Sequence, residues 1–204
     1  MTGRYPVPAE EVRAETEVSK SRFLAVLVPA ASEEAAHDLV RQLREAHPEA
    51  SHHCYAFLVG APGTSRSVGF SDDGEPHGTA GRPMLDVLSH SGLGDLACVV
   101  VRWFGGTKLG KGGLVRAYGG AVEAALELVE RAEKIDWISA TLAVPYEFVG
   151  GLERLFAELE VETLDREFGG EVRWTVRLPQ DRRAHIEVRL EEATLGRVGL
   201  RFED

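Results

Sequence analysis

The chain has 204 residues, of which 44% are hydrophobic and 27% are charged, and its formal net charge is -10. This composition is typical of a folded globular protein, and the length fits one large domain or two small ones. The negative charge argues against a general nucleic-acid coat protein, because phosphate binding needs positive potential. The longest apolar run, FLAVLVPAA, is far shorter than the roughly 20 residues of a membrane span. With no apolar signal segment at the start, we expect a cytoplasmic protein.

The first part of the chain predicts strands and helices in succession. EVRAETEV and RFLAVLVPA are typical of strands. A helix is predicted after them, with Ser32 as its N-cap, an apolar stripe on one face and Pro48 beyond its end. Strands are then expected at HHCYAFLVG, SVGFS and LACVVVRWF, with a short helix at RPMLDVLSHSG. A longer helix is expected from about Gly113 to Arg131.

Beyond Lys134 the pattern changes to strand, helix, strand, strand, helix, strand. Gly169-Gly170 would form the turn of the central hairpin. This order is that of the split βαβ, ferredoxin-like arrangement. We therefore predict an α+β protein with an N-terminal α/β domain over residues 1–134 and a ferredoxin-like βαββαβ domain over residues 135–204.

The cysteines and histidines do not predict a metal site. Cys54 and Cys98 lie in apolar strands, where a small buried thiol is the usual state. His52 and His53 are neighbours on a strand and point to opposite faces, so they cannot chelate one ion together. We assign no metal and no cofactor.

A basic, glycine-rich segment follows the strand at Leu96–Phe104. From Leu96 to Val122 there is no acidic residue, and a P-loop-like G-x-x-x-x-G-K is completed by Gly105, Gly110 and Lys111. Gly112 stands where a P-loop needs a Ser or Thr hydroxyl to ligate Mg²⁺, so a nucleoside triphosphatase is not predicted. Two interpretations stay open. The segment is either a tight strand-to-helix turn or an anion site at a helix N-terminus.

The stretch FSDDGEPHGTAGRPML is the other chemical-looking segment. It lacks the ligand spacing of a calcium loop, and no nucleophile elbow frames Ser71, Thr79 or His77. Its carboxylates could act as general bases only if burial raised a pKa. The alternative is a fixed turn stiffened by Pro76, with Thr79 capping the following helix. The residues alone therefore assign no catalytic group.

Together with VVVRWFGGTKLGKGGLVRAYGGAV, HPEASHHCYAF and KSRF, this stretch resembles the signature of the YigZ/IMPACT family, of the bacterial two-domain type. The resemblance implies a first domain similar to domain IV of elongation factor G and a second similar to its ferredoxin-like domain V. It implies no established catalytic activity. Eukaryotic members are regulators of translation that compete for a partner of a stress-responsive kinase, and bacterial members have a suspected link to the ribosome or to nucleic acid.

The resemblance also selects candidate residues. Asp72, Asp73, Glu75 and Thr79 match the first motif, and Arg82 lies within it. The second motif and its neighbours contribute the candidate anion or nucleic-acid site: Arg102, Gly105, Gly106, Lys108, Gly110, Lys111, Gly112, Gly113 and Arg116. His53 and Tyr118 are candidates for a cleft between the two loops. His77, Trp103 and Lys111 depart from the usual family pattern, which argues against a catalytic role for His77.

We expect a non-enzymatic, translation-associated regulator that binds RNA or a ribosomal surface, with a protein partner in translation control as a further possibility. The alternative is an enzyme or binding protein for a small phosphorylated ligand, in which the basic loop would hold the phosphate and a carboxylate would handle a proton or Mg²⁺. The sequence does not indicate an oligomeric state.

Overall fold

The computed structural model describes residues 3–202. The protein is α+β with antiparallel sheets, and it divides into two compact units. One unit comprises Tyr5–Glu133, and the other comprises the remaining described residues on either side of it. The strands are β1 (Arg4–Pro8), β2 (Val12–Val18), β3 (Ser21–Pro29), β4 (His52–Val59), β5 (Ser67–Ser71), β6 (Leu96–Trp103), β7 (Arg131–Ile135), β8 (Trp137–Val144), β9 (Glu162–Phe168), β10 (Val172–Pro179) and β11 (Arg201–Phe202). The helices are α1 (Glu33–Ala46), α2 (Gly81–His90), α3 (Gly110–Leu126), α4 (Val149–Glu158) and α5 (Arg183–Thr194).

In the first unit, a five-stranded sheet has the order β2-β3-β6-β4-β5, and every neighbouring pair is antiparallel. Helix α1 packs on one face, and α2 and α3 pack on the other. The central strand β6 is therefore buried on both faces, which explains its continuous apolar sequence. Helices on both faces make this a three-layer unit.

The prediction for α1 is confirmed in detail. Ser32 is the N-cap, and its hydroxyl accepts a hydrogen bond of 3.2 Å from the backbone N–H of Ala35. The buried face of the helix is the predicted apolar stripe of Ala36, Leu39, Val40 and Leu43. Local pattern and tertiary packing agree here, because every core contact of α1 lies along one helical face.

Two predicted boundaries are wrong. The helix expected to reach Arg131 ends at Leu126, and Arg131–Ile135 is the strand β7, which pairs with the unpredicted strand β1. The charged sequence RAEKI suits a helix by propensity, but pairing with a distant strand overrides that local preference. Of the last strand, expected over residues 196–204, the described residues that pair are Arg201 and Phe202, with Thr141 and Ala140 of β8, whereas Glu203 and Asp204 lie outside the described residues.

The second unit runs β8, α4, β9, β10, α5, β11, and its sheet has the order β11-β8-β10-β9. Leu142, Trp174 and Val176 project from one face into the core with α4 and α5. The opposite face carries cross-strand ion pairs, such as Arg177 with Glu162 at 2.5 Å. No helix among residues 3–202 is long and apolar enough to cross a membrane.

Substituting Leu88 tests whether α2 packs into the core of the first unit. Leu88 is fully buried, so Leu88→Ala should lower the free energy of unfolding by about 2–5 kcal/mol through lost burial and a residual cavity. Leu128 is 55% exposed, and Leu128→Ala is the matched control with an expected change of about 0.5 kcal/mol or less. Urea unfolding followed by circular dichroism measures both. Equal effects of the two substitutions would contradict the placement of Leu88 in the core.

Candidate functional site

The acidic loop, Phe70–Ala80, is organised around the carboxylate of Asp72. This carboxylate accepts backbone hydrogen bonds from Gly78 at 2.7 Å, from Ala80 at 3.0 Å and from Gly81 at 2.9 Å. Gly81 is the first residue of α2, whose initial N–H groups have no partner within the helix. Asp72 therefore caps α2 from outside the helix and holds the loop in one shape.

The expected cap, Thr79, has a different partner. Its hydroxyl donates to the carbonyl of Pro76 at 2.6 Å, and the N-cap position of α2 is Ala80, which has no side-chain cap. Burial raises the pKa of Asp72, but the three backbone N–H donors and nearby His77 outweigh it, so the pKa lies below its ordinary value. A carboxyl with this environment remains ionised near neutral pH and is a weaker base than an ordinary carboxylate.

Asp73 fastens the loop to the rest of the first unit. Its φ of 42° is left-handed, and its carboxylate accepts the backbone N–H of His53 at 2.6 Å and pairs with Arg44 on α1. The Asp73 carbonyl lies 2.8 Å from Nδ1 of His52. Asp73 thus has structural partners on both β4 and α1.

Glu75 and Arg102 form a buried ion pair that joins the acidic loop to the end of β6. The Glu75 carboxylate also accepts a hydrogen bond of 2.8 Å from the hydroxyl of Tyr118, and the Arg102 guanidinium lies 3.4 Å from the hydroxyl of Ser21. Arg102 is only 5% exposed and Glu75 only 8%. Two charges out of water are tolerated because each finds its counter-ion and further polar partners.

The structure places both Tyr118 and Arg102 in the interior of the first unit. Tyr118 is fully buried, and its pKa is raised by burial, with Cys54 and Glu75 adding to the effect, so its hydroxyl stays a donor to Glu75. The Arg102 guanidinium is buried and is paired with Glu75. Both side chains are buried and contact the Glu75 carboxylate of the acidic loop.

The two adjacent histidines lie in different surroundings, as strand alternation predicts. Nε2 of His52 is 3.8 Å from Glu75, near the ion pair, and the ring remains partly exposed. His53 is 6% exposed, and its Nε2 is buried without a hydrogen-bond partner. Burial lowers the pKa of His53, opposed by Asp73 and by the carbonyls of Leu43 and His47.

The glycine-rich loop, Phe104–Gly113, packs on the turn between β2 and β3. A Cβ on Gly105 would lie 1.9 Å from the carbonyl oxygen of Lys20, so only glycine fits there. The N–H of Gly105 donates to the hydroxyl of Ser21 at 3.1 Å. Gly106 and Gly110 have φ values of 86° and 68°, which suit glycine. Close contact and backbone conformation together fix the path of the loop into α3.

Three cations of this segment are exposed: Lys108, Lys111 and Arg116. Across residues 3–202, none of them has a carboxylate within ion-pair distance. Lys108 lies just before α3, and Lys111 and Arg116 lie in its first two turns; the helix has no side-chain cap and no acidic residue in its first turn. The positive end of the helix and the side chains therefore add to one local field.

Arg82 lies on α2 and forms an ion pair with Asp86 at 2.9 Å. It lines a shallow groove of about 650 Å³ between α2 and α3, and Arg116 lines the same groove. The structure thus places Arg82 near the basic segment and not with the buried carboxylates. No three His, Cys, Asp or Glu side chains in the described part of the chain are arranged to hold a metal ion.

Sequence reasoning assigned no role to three residues of this region. The Ser21 hydroxyl forms hydrogen bonds with both Arg102 and Gly105. The backbone of Lys20 packs against Gly105, and Arg44 forms an ion pair with Asp73. The motif KSRF was the available signal for the first two, since it places a lysine and a serine together at a strand start. Nothing in the local sequence of α1 marks Arg44.

The first unit is thus an antiparallel sheet covered by helices on both faces. It has a buried ion pair beneath a glycine-rich loop, and this loop carries exposed basic residues into α3. These features define the class as a small α+β protein with a basic surface segment. The Impact N-terminal domain family matches residues 19–126, which include both loops. The chain belongs to the IMPACT family.

Two relatives are similar to the chain over nearly their whole length. The chain is 40% identical to the IMPACT family member YigZ of Escherichia coli (strain K12), over 95% of each chain. It is 39% identical to an IMPACT family member of Haemophilus influenzae, over 95% of this chain and 94% of that one. A solved structure described as the crystal structure of an hypothetical protein is 38% identical, with a TM-score of 0.72 and coverage of 100% of this chain and 99% of that chain.

Removing one partner of the buried ion pair tests its structural role. Glu75→Gln leaves the Arg102 guanidinium buried without a counter-ion and should cost about 3–5 kcal/mol in the free energy of unfolding. The double substitution of Glu75 and Arg102 to Met should recover part of this loss. The matched control is Glu15→Gln on the exposed edge strand β2. Chemical denaturation measures all three, and a Glu75→Gln protein as stable as the control would contradict the assignment.

The buried histidine predicts a pH dependence of stability. Because the pKa of His53 in the folded protein is below its ordinary value of 6.5, the unfolded chain takes up this proton first as the pH falls. The contribution is therefore complete above about pH 6.5 and decreases as the pH falls toward the folded pKa. His53→Phe should flatten this part of the stability profile, whereas His77→Gln, at an exposed histidine, should not. Denaturation between pH 7.5 and 5 checks it, with the range chosen to bracket the ordinary histidine pKa of about 6.5.

Proposed function

We propose that the protein is a non-enzymatic, translation-associated factor that binds RNA phosphate or a ribosomal surface through its exposed basic segment. The observation that carries this proposal is the set of three exposed cations, Lys108, Lys111 and Arg116, with no carboxylate partner in the described structure, in a chain whose net charge is -10. Cations that stabilise no internal pair are available to a ligand, and phosphate is the anion that such a cluster best fits.

The structure beneath the segment supports this use. Gly105 is held against Lys20 and Ser21, and Arg102 is held by Glu75, so the loop leading into α3 has little freedom. A fixed loop loses little conformational entropy when it binds, which favours affinity from few contacts. Lys20 is exposed in the same neighbourhood and adds a fourth positive charge at the adjoining turn.

The arrangement of each unit is compatible with the translation-factor interpretation. We infer that residues 1–134 form a domain similar to domain IV of elongation factor G, and that residues 135–204 form a ferredoxin-like domain similar to its domain V. The element order β8, α4, β9, β10, α5, β11 and the sheet order β11-β8-β10-β9 support the second inference. A cytoplasmic location would follow from a role in translation.

The alternative of an enzyme acting on a small phosphorylated ligand receives less support. Asp72 accepts three backbone hydrogen bonds, Asp73 pairs with Arg44, and Glu75 pairs with Arg102. A proton-transfer group or a Mg²⁺ ligand needs accessible lone pairs. Each of these carboxylates already has hydrogen-bond or ion-pair partners within the first unit.

Co-sedimentation with ribosomes and binding of a short single-stranded RNA at low salt test the proposal. Neutralising Lys108 and Arg116 to Ala should weaken RNA binding and lower the slope of log K against log salt by about 1.4, because each phosphate contact contributes about 0.7 for single strands. The measurement is a titration between about 50 and 200 mM salt. Binding should weaken similarly for RNAs of different sequence, since phosphate contacts carry no sequence information.

The matched control is the pair Arg13→Ala and Arg41→Ala, which removes the same charge from exposed arginines that are paired with Glu11 and Asp38. This control should retain the salt slope of the wild type. Absence of binding to both RNA and ribosomes would contradict the proposal, as would equal losses in the two double variants.

A further inference from the structure

Strand β5 leaves one edge of the five-stranded sheet open. It lies at the end of the order β2-β3-β6-β4-β5, and in the described sheet it pairs with β4 alone. Its sequence, SVGFS, has no charged residue and no proline, and its register with β4 has no bulge. Val68 and Phe70 are 48% and 43% exposed. An edge of this kind presents unpaired N–H and C=O groups beside an apolar surface and is a template for another strand.

The opposite edge of the same sheet is protected. Strand β2 carries Arg13, Glu15 and Glu17 at its exposed positions. Charged side chains along an edge oppose the addition of a further strand, because pairing would bring them out of water. The β2 edge of the sheet is therefore protected by charged side chains, whereas the β5 edge is not. This difference makes β5 the candidate edge for pairing with another strand.

The sequence of β5 is nearly symmetric about Gly69, with Val68 and Phe70 on either side and Ser67 and Ser71 beyond them. If β5 paired with β5 of a second copy in antiparallel fashion, with Gly69 opposite Gly69, then Val68 of each copy would face Phe70 of the other. All four apolar side chains would lie on the same face, because residues at i and i+2 share a face. A β-branched residue opposite an aromatic is a favourable cross-strand pair.

The centre of this register is Gly69, which has no side chain of its own. A Cβ on Gly69 would lie 2.4 Å from the ring of Phe57 in the same chain, so that ring covers one face of the sheet at this position. We propose that β5 is a self-association surface that joins two copies of this chain, through a two-fold axis at Gly69, into one continuous ten-stranded sheet.

A second copy is the occupant that fits these observations because a two-fold antiparallel pair requires self-complementarity. An unrelated extended peptide would need no symmetry about Gly69. One short strand pair buries little area, so the dimer should be weak, with a dissociation constant on the order of 100 µM. Sedimentation equilibrium on the full chain over a wide concentration range measures it.

Phe70→Lys should weaken dimerisation at least about tenfold, because the new charge would lie against Val68 of the second copy. Leu128→Lys is the matched control, since it makes the same change at a residue that is 55% exposed and outside every strand. The control should dimerise like the wild type. Circular dichroism establishes that both variants are folded.

Cross-linking tests the register separately. In the proposed pair, position 68 lies opposite position 70, within the Cα separation of about 4.4–6.8 Å that a disulfide needs. Mixing Val68→Cys protein with Phe70→Cys protein under mild oxidation should give a disulfide-linked dimer. Either variant alone should give little disulfide-linked dimer. In this register, identical positions of the two copies are diagonal neighbours and lie farther apart than directly opposite positions. The native Cys54 and Cys98 are buried and do not interfere.

A chain that stays monomeric up to about 1 mM, well above the expected dissociation constant, overturns the proposal. It is equally overturned by a dimer that persists in Phe70→Lys, since another surface would then be responsible. Efficient cross-linking of Val68→Cys alone excludes the register about Gly69. A monomer that captures an extended peptide at β5 would assign the edge to a different partner and would also overturn self-association.

Discussion

The buried ion pair between Glu75 and Arg102 is the constraint on which the rest of the site depends. Glu75 comes from a loop that Asp72 and Asp73 have already fixed, and Arg102 comes from the end of the central strand β6. Because neither charge is stable in the interior alone, the two loops cannot separate without a large cost. The polar partners Tyr118 and Ser21 extend this coupling to α3 and to the start of β3.

This coupling divides the charged residues of the site into two classes. The carboxylates of the acidic loop and Arg102 maintain the fold, whereas Lys108, Lys111 and Arg116 face solvent at the start of α3. The family motif contains both classes, so a motif match alone does not separate the buried structural residues from those exposed to solvent. Burial and hydrogen-bond partners make that distinction.

Local patterns predicted much of the fold and less of the site. The cap and stripe of α1 and the continuous apolar run of β6 follow from periodicity and propensity, which act over a few residues. The pairing of β1 with β7 and the capping of α2 by Asp72 depend on contacts between residues distant in sequence. Asp72 and Gly81 are separated by nine positions, beyond any local capping rule.

The contact of Gly105 with the turn at Lys20 also has a kinetic consequence. These residues are more than eighty positions apart, and the contact joins the two ends of paired strands, the start of β3 and the end of β6. Contacts of such sequence separation form slowly, because the intervening chain must first be ordered. During synthesis the basic surface cannot exist until the chain through β6 and the glycine-rich loop has left the ribosome. A nascent or partly folded chain would therefore lack this surface, which belongs only to the completed first unit.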